Sequence, residues 1–258
     1  MSRLFSQPNY NAFVKQLGQA IKDPKVRLTL KKGLQDGVKK DDMIRSTRAI
    51  TKVSKLQPIQ KEIDLSKSLS YVGAHPENVK PILEGKTLTS KNFGGKLLVT
   101  SKGKHIVDGH HRWSQTYMIN PDAKVESVDL NVANPANALV ASQAVIAAET
   151  SKVSSRTVGK GEDIYSMSSA DIERKMQRHL TPAFYRAFYK VRPNQFKTKK
   201  DVHNHLLSNI LRLKVQHKPA TSISRGVMPV FDDVGAKKAT AKLERGEVNL
   251  KKPFVKGA

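Results

Sequence analysis

Residues 96–119 constrain the fold more than any other stretch of the chain. Lys96-Leu97-Leu98-Val99-Thr100 reads as a strand, Ser101-Lys102-Gly103-Lys104 carries hairpin-turn chemistry, and His105-Ile106-Val107 reads as the return strand. Asp108-Gly109-His110-His111-Arg112-Trp113 then leads into a helix that runs through Ile119. A strand, a glycine turn and a helix in direct succession belong to an α/β or α+β domain, where a helix covers one face of a sheet.

The surrounding pattern extends this unit in both directions. Ile59, Lys61, Ile63 and Leu65 alternate apolar and polar and predict a strand over 58–65. Pro76 fits a first helical position, with Val79, Ile82 and Leu83 on one face. Val128, Leu130 and Val132 alternate in a strand over 125–132, and Asn134-Pro135 opens an Ala-rich helix with Leu139, Val140 and Ala144. The expected order is β-α-β-β-α-β-α.

Upstream, Phe13, Val14, Leu17 and Ile21 form a helical stripe behind Asn9 or Asn11. Val26 to Leu34 follow after Pro24, and Ile44, Ala49 and Ile50 suit a third helical turn after Asp41-Asp42. Downstream, 150–162 is a polar Ser/Thr/Gly linker. Ser168-Ser169-Ala170-Asp171 reads as a capping box, Thr181-Pro182 starts a helix, and Val202, Leu206, Ile210 and Leu213 form the stripe of a longer one. The expected fold is α+β, a small mixed-sheet domain flanked by basic helical regions. Its divisions are an arm at 1–57, the domain at 58–150, helices at 151–215 and an extended basic tail at 216–258.

Charge follows the same division. The 258 residues carry 46 Lys/Arg and 22 Asp/Glu, a net +24. Residues 1–57 hold +9, 58–150 only +1, and 151–258 hold +14. A near-neutral centre between two basic ends predicts a polyanionic partner, above all nucleic acid; the plainer alternative is a lysine-rich solvated surface. Lys31, Lys32, Lys39 and Lys40 in the arm, with Lys197, Lys199 and Lys200 before the long helix, are the candidate phosphate contacts. No apolar run reaches the ~18–20 residues a membrane span needs, and the N-terminus has no apolar core of a secretory signal. The absence of cysteine excludes disulfide scaffolds, zinc-thiolate sites and cysteine nucleophiles.

The turn itself is chemically loaded. Gly109 allows a tight backbone approach, and the helix behind it offers unpaired N–H groups and a partial positive charge. Arg112 adds a planar donor fork suited to phosphate oxygens. His110 and His111 are able to donate, accept or transfer protons near neutral pH. Asp108 suits a cap, an orienter of a histidine or a magnesium ligand. The alternative is a plain Asp-Gly turn with two surface histidines. His203, His205 and His217 suggest a metal, but an i, i+2 pair points to different faces of a helix, so they read as exposed or nucleic-acid-facing. Phe184, Tyr185, Phe188 and Tyr189 among basic residues fit either base stacking or a core stripe. No Walker loop, GxSxG, HExxH or EF-hand pattern is present.

The stretch Val107-Asp108-Gly109-His110-His111-Arg112, preceded by strand–turn–strand and by Glu62-Ile63-Asp64-Leu65, resembles the ParB/sulfiredoxin superfamily, or ParB-like nuclease domain, over about residues 57–150. Members bind CTP or ATP, phosphorylate free serine, reduce oxidised peroxiredoxin or are described as nucleases. The resemblance implies that Gly109, His110, His111 and Arg112 hold the phosphates of a nucleotide such as CTP or ATP, with magnesium as a companion ion. The sulfiredoxin cysteine is missing, which excludes that redox chemistry. The Asn-Pro-Arg of the chromosome-partitioning branch is replaced by Ala74-His75-Pro76-Glu77-Asn78. The serine-kinase branch is most similar at the turn and implies an upstream carboxylate base. Glu77 is the best placed, with Glu84 next, and a helix-start carboxylate stabilised by the dipole is the alternative for Glu77. Three functions follow as expectations. The first is a DNA-associated nucleotide-binding protein. The second is a nuclease-like or kinase-like phosphotransferase using Asp108, His110 and Glu77. The third is a structural nucleic-acid-binding protein of a phage particle. Nucleoid or virion is the expected setting, with homo-oligomer or virion partners.

Overall fold

The computed structural model describes residues 43–44, 46–130 and 163–221, together with positions 135, 138, 139, 142, 223, 225, 248 and 249. Within them the chain is α+β, with a six-stranded mixed sheet and six helices.

The hairpin is the part most directly written in the residues. β5 (Leu98–Ser101) and β6 (His105–Asp108) pair antiparallel through a turn in which Lys102 and Gly103 both take positive φ, 52° and 62°. These φ values let the three residues between the paired Ser101 and His105 reverse the chain, with Lys104 N donating to Ser101 O at 3.2 Å. The Asp129 carboxylate fixes it, accepting from Gly103 N at 2.6 Å and Thr100 Oγ1 at 2.7 Å. Asp129 belongs to β7 (Lys124–Leu130), which runs parallel to β5. The same edge of β7 is used first by β4 (Thr87–Leu88), and β2 (Ser46–Lys52) runs antiparallel along its other edge. β3 (Gln57–Pro58) pairs parallel with β6, giving the order β2-β7-β5-β6-β3. A separate two-stranded ribbon joins β1 (Met43–Ile44) to β8 (Val248–Asn249).

Two expectations fail here, for different reasons. The helical turn over Ile44, Ala49 and Ile50 is instead strand: seven residues of β2 find a long-range antiparallel partner in β7, and Thr47, Ile50 and Thr51 are β-branched residues that suit it. The strand over 58–65 stops at Pro58. Asp64 accepts from Lys67 N at 3.0 Å and caps α1 (Leu65–Ala74), whose Leu65, Leu69 and Val72 are buried at helical spacing. Pro76–Asn78 forms a 3-10 turn leading into α2 (Val79–Leu83). α3 (His110–Ile119) ends where the pattern ends it, and positions 135, 138, 139 and 142 are helical as expected.

The later helices are α4 (Ser169–His179), α5 (Pro182–Val191) and α6 (Lys199–Gln216). The Ser168/Asp171 capping box and the Thr181-Pro182 start both form. These helices share one core with the sheet domain, running from Val53 and Leu56 through Trp113 and Tyr117 to Phe184, Phe188, Leu206 and Leu213. Divisions at 57/58 and 150/151 therefore cut through packed structure: β2 lies before the first, and the common core spans the second. The fully buried Trp113 donates from Nε1 to Val53 O at 2.8 Å, which locks α3 to the segment after β2. The last carbonyls of α3 are satisfied by α6, where His205 donates to Ile119 O at 2.8 Å and Asn209 to Met118 O at 2.9 Å. The arm at 1–42 and most of the tail lie outside the described residues.

Candidate phosphate site at the start of α3

β6 delivers the chain to Asp108, and Gly109 turns it at φ +96° into α3. A side chain at 109 would be strained at that φ and would stand 3.0 Å from Nε and Nη2 of Arg112 and 3.1 Å from Leu98. Glycine is therefore needed twice, for its conformation and for the arginine that folds back over it. No side chain caps the helix, and its first intrahelical bond is Trp113 N to Gly109 O at 2.9 Å. The amides of His110, His111 and Arg112 consequently have no acceptor within the helix. With the dipole behind them, they are an arrangement able to accept an anion.

Arg112 lies across the mouth of this turn. Its Nη2 donates to Asp108 Oδ2 at 2.5 Å and to Leu97 O at 3.0 Å. The two side chains are only 19% and 21% exposed, and Arg112 Nε is shielded from solvent with no partner. The guanidinium is thus aimed and partly unsatisfied, an arrangement suited to one more acceptor.

The two histidines separate sharply. His110 is buried, and its Nε2 accepts from the amides of Ile59 and Gln60, each at 3.2 Å. Burial, with Arg112 adding to it, pushes its pKa down to about 3. The ring is neutral and its Nε2 is spoken for, so the expected phosphate-binding and proton-transfer roles of that nitrogen are corrected: His110 pins α3 to the chain after β3. His111 differs, because its Nε2 is buried and has no hydrogen-bond partner. Burial, followed by the charges of Arg225, Lys67, His110 and Arg112, holds its pKa well below the usual range.

The expected base fares less well. Glu77 sits in the 3-10 turn, 65% exposed, with Oε1 2.9 Å from His75 Nδ1. The Tyr71 phenol, raised first by burial, is raised further by Glu77 and lowered by Arg112. Glu84 is occupied with Lys86 at 2.8 Å and Lys80 at 3.9 Å. Lys67 and Arg225, whose charges act on His111, are the residues that sequence reasoning missed near this site; neither stands at a motif spacing, and only the packing of α1 and a distant C-terminal segment brings them here.

The open amides and the partly satisfied Arg112 guanidinium suit a phosphate group, and His111 Nε2 adds a shielded polar atom without a partner on the same helical turn. Magnesium fits less well, because the Asp108 carboxylate is held by Arg112 and no group of three metal-binding side chains forms among the described residues.

The other candidates resolve elsewhere. Lys197, Lys199 and Lys200 stand at the start of α6. Lys199 and Lys200 line a cavity of about 500 Å³ with Glu173, Gln177, Tyr185 and His203, and Lys199 Nζ lies 5.5 Å from the Tyr185 ring centre. Lys31, Lys32, Lys39 and Lys40 lie outside the described residues. Phe184, Tyr185 and Phe188 are buried core residues, so their stacking role falls away. His203 bonds Tyr185 Oη at 2.6 Å, His205 bonds Ile119 O and His217 bonds Leu56 O at 2.9 Å. His205 and His217 are engaged inside the fold, which replaces the expectation that they face solvent or nucleic acid, while His203 is held by Tyr185 at the wall of that cavity. No helix among the described residues is long and apolar enough to cross a membrane. Comparison with family models, with curated proteins and with solved structures finds no match to this chain.

Proposed function

We propose that the start of α3 binds the phosphates of a nucleotide, CTP or ATP in class, in a ParB-like domain of a DNA-associated protein. The observation that carries this reading is the uncapped helix start behind left-handed Gly109, with Arg112 folded over it and His111 Nε2 buried without a partner. The phosphate would accept from the amides of residues 110–112, while Arg112 turns unused N–H groups toward it and keeps Asp108 as its anchor. Binding without chemistry is favoured over phosphoryl transfer, because His110 Nε2 is consumed by backbone amides, Asp108 by Arg112, and Glu77 is exposed beside His75. The basic flanks would supply the DNA contacts, in a nucleoid or a phage particle.

Calorimetry with CTP, ATP and ADP in the presence of magnesium tests the site. Wild type is expected to bind at least one of them. Arg112→Ala is expected to weaken binding at least tenfold, as loss of a charge-assisted hydrogen bond of about 1.5–3 kcal/mol implies. Gly109→Ala should do the same by displacing Arg112. Absence of binding by wild type overturns the reading, and release of γ-phosphate would move it to a phosphotransferase. For DNA, deleting residues 1–42 while retaining β2 should flatten the dependence of affinity on salt, by about 0.9 in log–log slope for each DNA phosphate the arm neutralises. An unchanged slope would show that the arm neutralises none.

A further inference from the structure

The segment after α6 does more than leave the domain. Gln57 Nε2 donates to Lys218 O at 3.1 Å, Ala220 N to Pro58 O at 2.8 Å, Thr221 Oγ1 to Ile59 O at 2.6 Å and Lys61 N to Ile223 O at 2.7 Å. Gln60 and Ile223 form a parallel bridge. The chain is thus strapped along residues 57–61, the same short stretch whose amides hold His110 at the start of α3. The strap ends by placing Arg225 beside the cap of α1, where its backbone N–H donates to Glu62 Oε2 at 2.9 Å and its Nη1 to Asp64 Oδ2 at 3.0 Å.

Arg225 is only 16% exposed and Asp64 21%. A guanidinium has five N–H donors, so these bonds aim it and leave others for a ligand. The start of α1 that holds Arg225 is packed on the His111 turn of α3: Ser68 Oγ and Ser114 Oγ are 2.7 Å apart, and Ser114 Oγ donates to His111 O at 3.3 Å; the charges of Arg225 and Lys67 both act on the His111 ring. A buried imidazole nitrogen with no partner, among positive side chains and one residue into an uncapped helix, is a site arranged for an anion.

We propose that the strap completes the site, with Arg225 and His111 taking a second phosphate group next to the one at the amides of α3. This rests on the phosphate reading of the turn and adds a selectivity: ligands with two or more linked phosphates over monophosphates. It also makes ligand binding fasten the strap, because the residue that meets the second phosphate is carried on it.

The test is calorimetry of AMP, ADP and ATP on the full chain. Wild type is expected to bind ADP and ATP at least tenfold more tightly than AMP. Arg225→Ala should remove that preference, lowering ADP affinity at least tenfold and AMP affinity much less. Asp64→Asn keeps a side chain that caps a helix equally well while releasing the guanidinium from its carboxylate. It should tighten ADP several-fold, and the gain should vanish in Asp64→Asn/Arg225→Ala, which separates a ligand contact from a general loss of negative charge. Hydrogen exchange at Lys61 N–H, bonded to the strap, should slow on adding ADP to wild type and not to Arg225→Ala. Equal ADP and AMP affinities in wild type, or an ADP preference that survives Arg225→Ala, would overturn the proposal with the phosphate site intact. Equal weakening of AMP and ADP by Arg225→Ala would also overturn it, assigning Arg225 to the fold. Failure of wild type to bind any of the three would remove the phosphate reading and this proposal together.

Discussion

The folded chain is expected to lose stability steeply as pH falls below about 6.5, the ordinary pKa of histidine. His110 is the clearest contributor. In the fold it stays neutral down to about pH 3, because protonation would place a charge in a buried pocket and abolish the acceptor for Ile59 and Gln60 N–H. In the unfolded chain it protonates near its ordinary value, so between those limits the unfolded state binds more protons. Stability therefore rises with pH across this window and is lost on acidification, by about 1.4 kcal/mol per pH unit for one such group. His105, His111, His203, His205 and His217 are shifted in the same direction, each first by burial, and they add to the slope. Urea midpoints measured from pH 7 to 4 should fall continuously. His110→Gln, which retains an acceptor but does not titrate, should lower the slope by nearly one proton. Stability that is flat between pH 6.5 and 4 would mean that these rings are not buried neutral.

Gly73→Ala is expected to destabilise the protein by about 3 kcal/mol, at the upper end for overpacking. A Cβ at 73 would stand 2.2 Å from His179 O and 3.3 Å from His179 C. Both are backbone atoms, so no side-chain rotation relieves the clash, and α1 must part from the end of α4. That crossing is also held by Thr181 Oγ1 donating to Gly73 O at 2.9 Å and by a hydrogen bond between Ser70 Oγ and His179 Nδ1 at 2.9 Å. Gly85→Ala is the comparison: nothing lies within 4 Å of its Cβ, and only the φ of +69° resists. It should cost about 1 kcal/mol. Equal destabilisation of the two variants in urea would show that the α1–α4 crossing yields more readily than its geometry implies.

What is legible in the sequence is local. The 98–108 hairpin, the glycine turn, the end of α3 at Ile119 and the Ser168/Asp171 box each depend on residues within a few positions, and each forms as the residues predict. β2 reads as helix because its helix-like spacing is overruled only by pairing with β7, far along the chain. The strand over 58–65 reads too long because apolar alternation hides Asp64 as a cap. At the site, Gly109 and Arg112 stand where the motif puts them. His110 and His111 look equivalent in the sequence and are not. Neighbouring positions on a helix face different surroundings, and only packing decides which ring meets backbone amides and which is left without a partner. Arg225 carries no motif, since its place depends on a strap whose course is set by backbone pairing.

The bonds that finish α3 at its far end have a further consequence. His205 and Asn209 of α6 close the carbonyls of Ile119 and Met118, Ser114 is bonded to Ser68 of α1 at 2.7 Å, and Trp113 is fastened to Val53. The helix is bolted at its tail and along its flank while its head stays open. A ligand arriving there meets donors already in place, at little cost in ordering entropy. The lysines at the head of α6 stand on the same helix whose His205 and Asn209 close the tail of α3. The strap is bonded to residues 57–61, the stretch whose amides also hold His110 at the open end of the helix, so the head of α3 and the segment after α6 share one support.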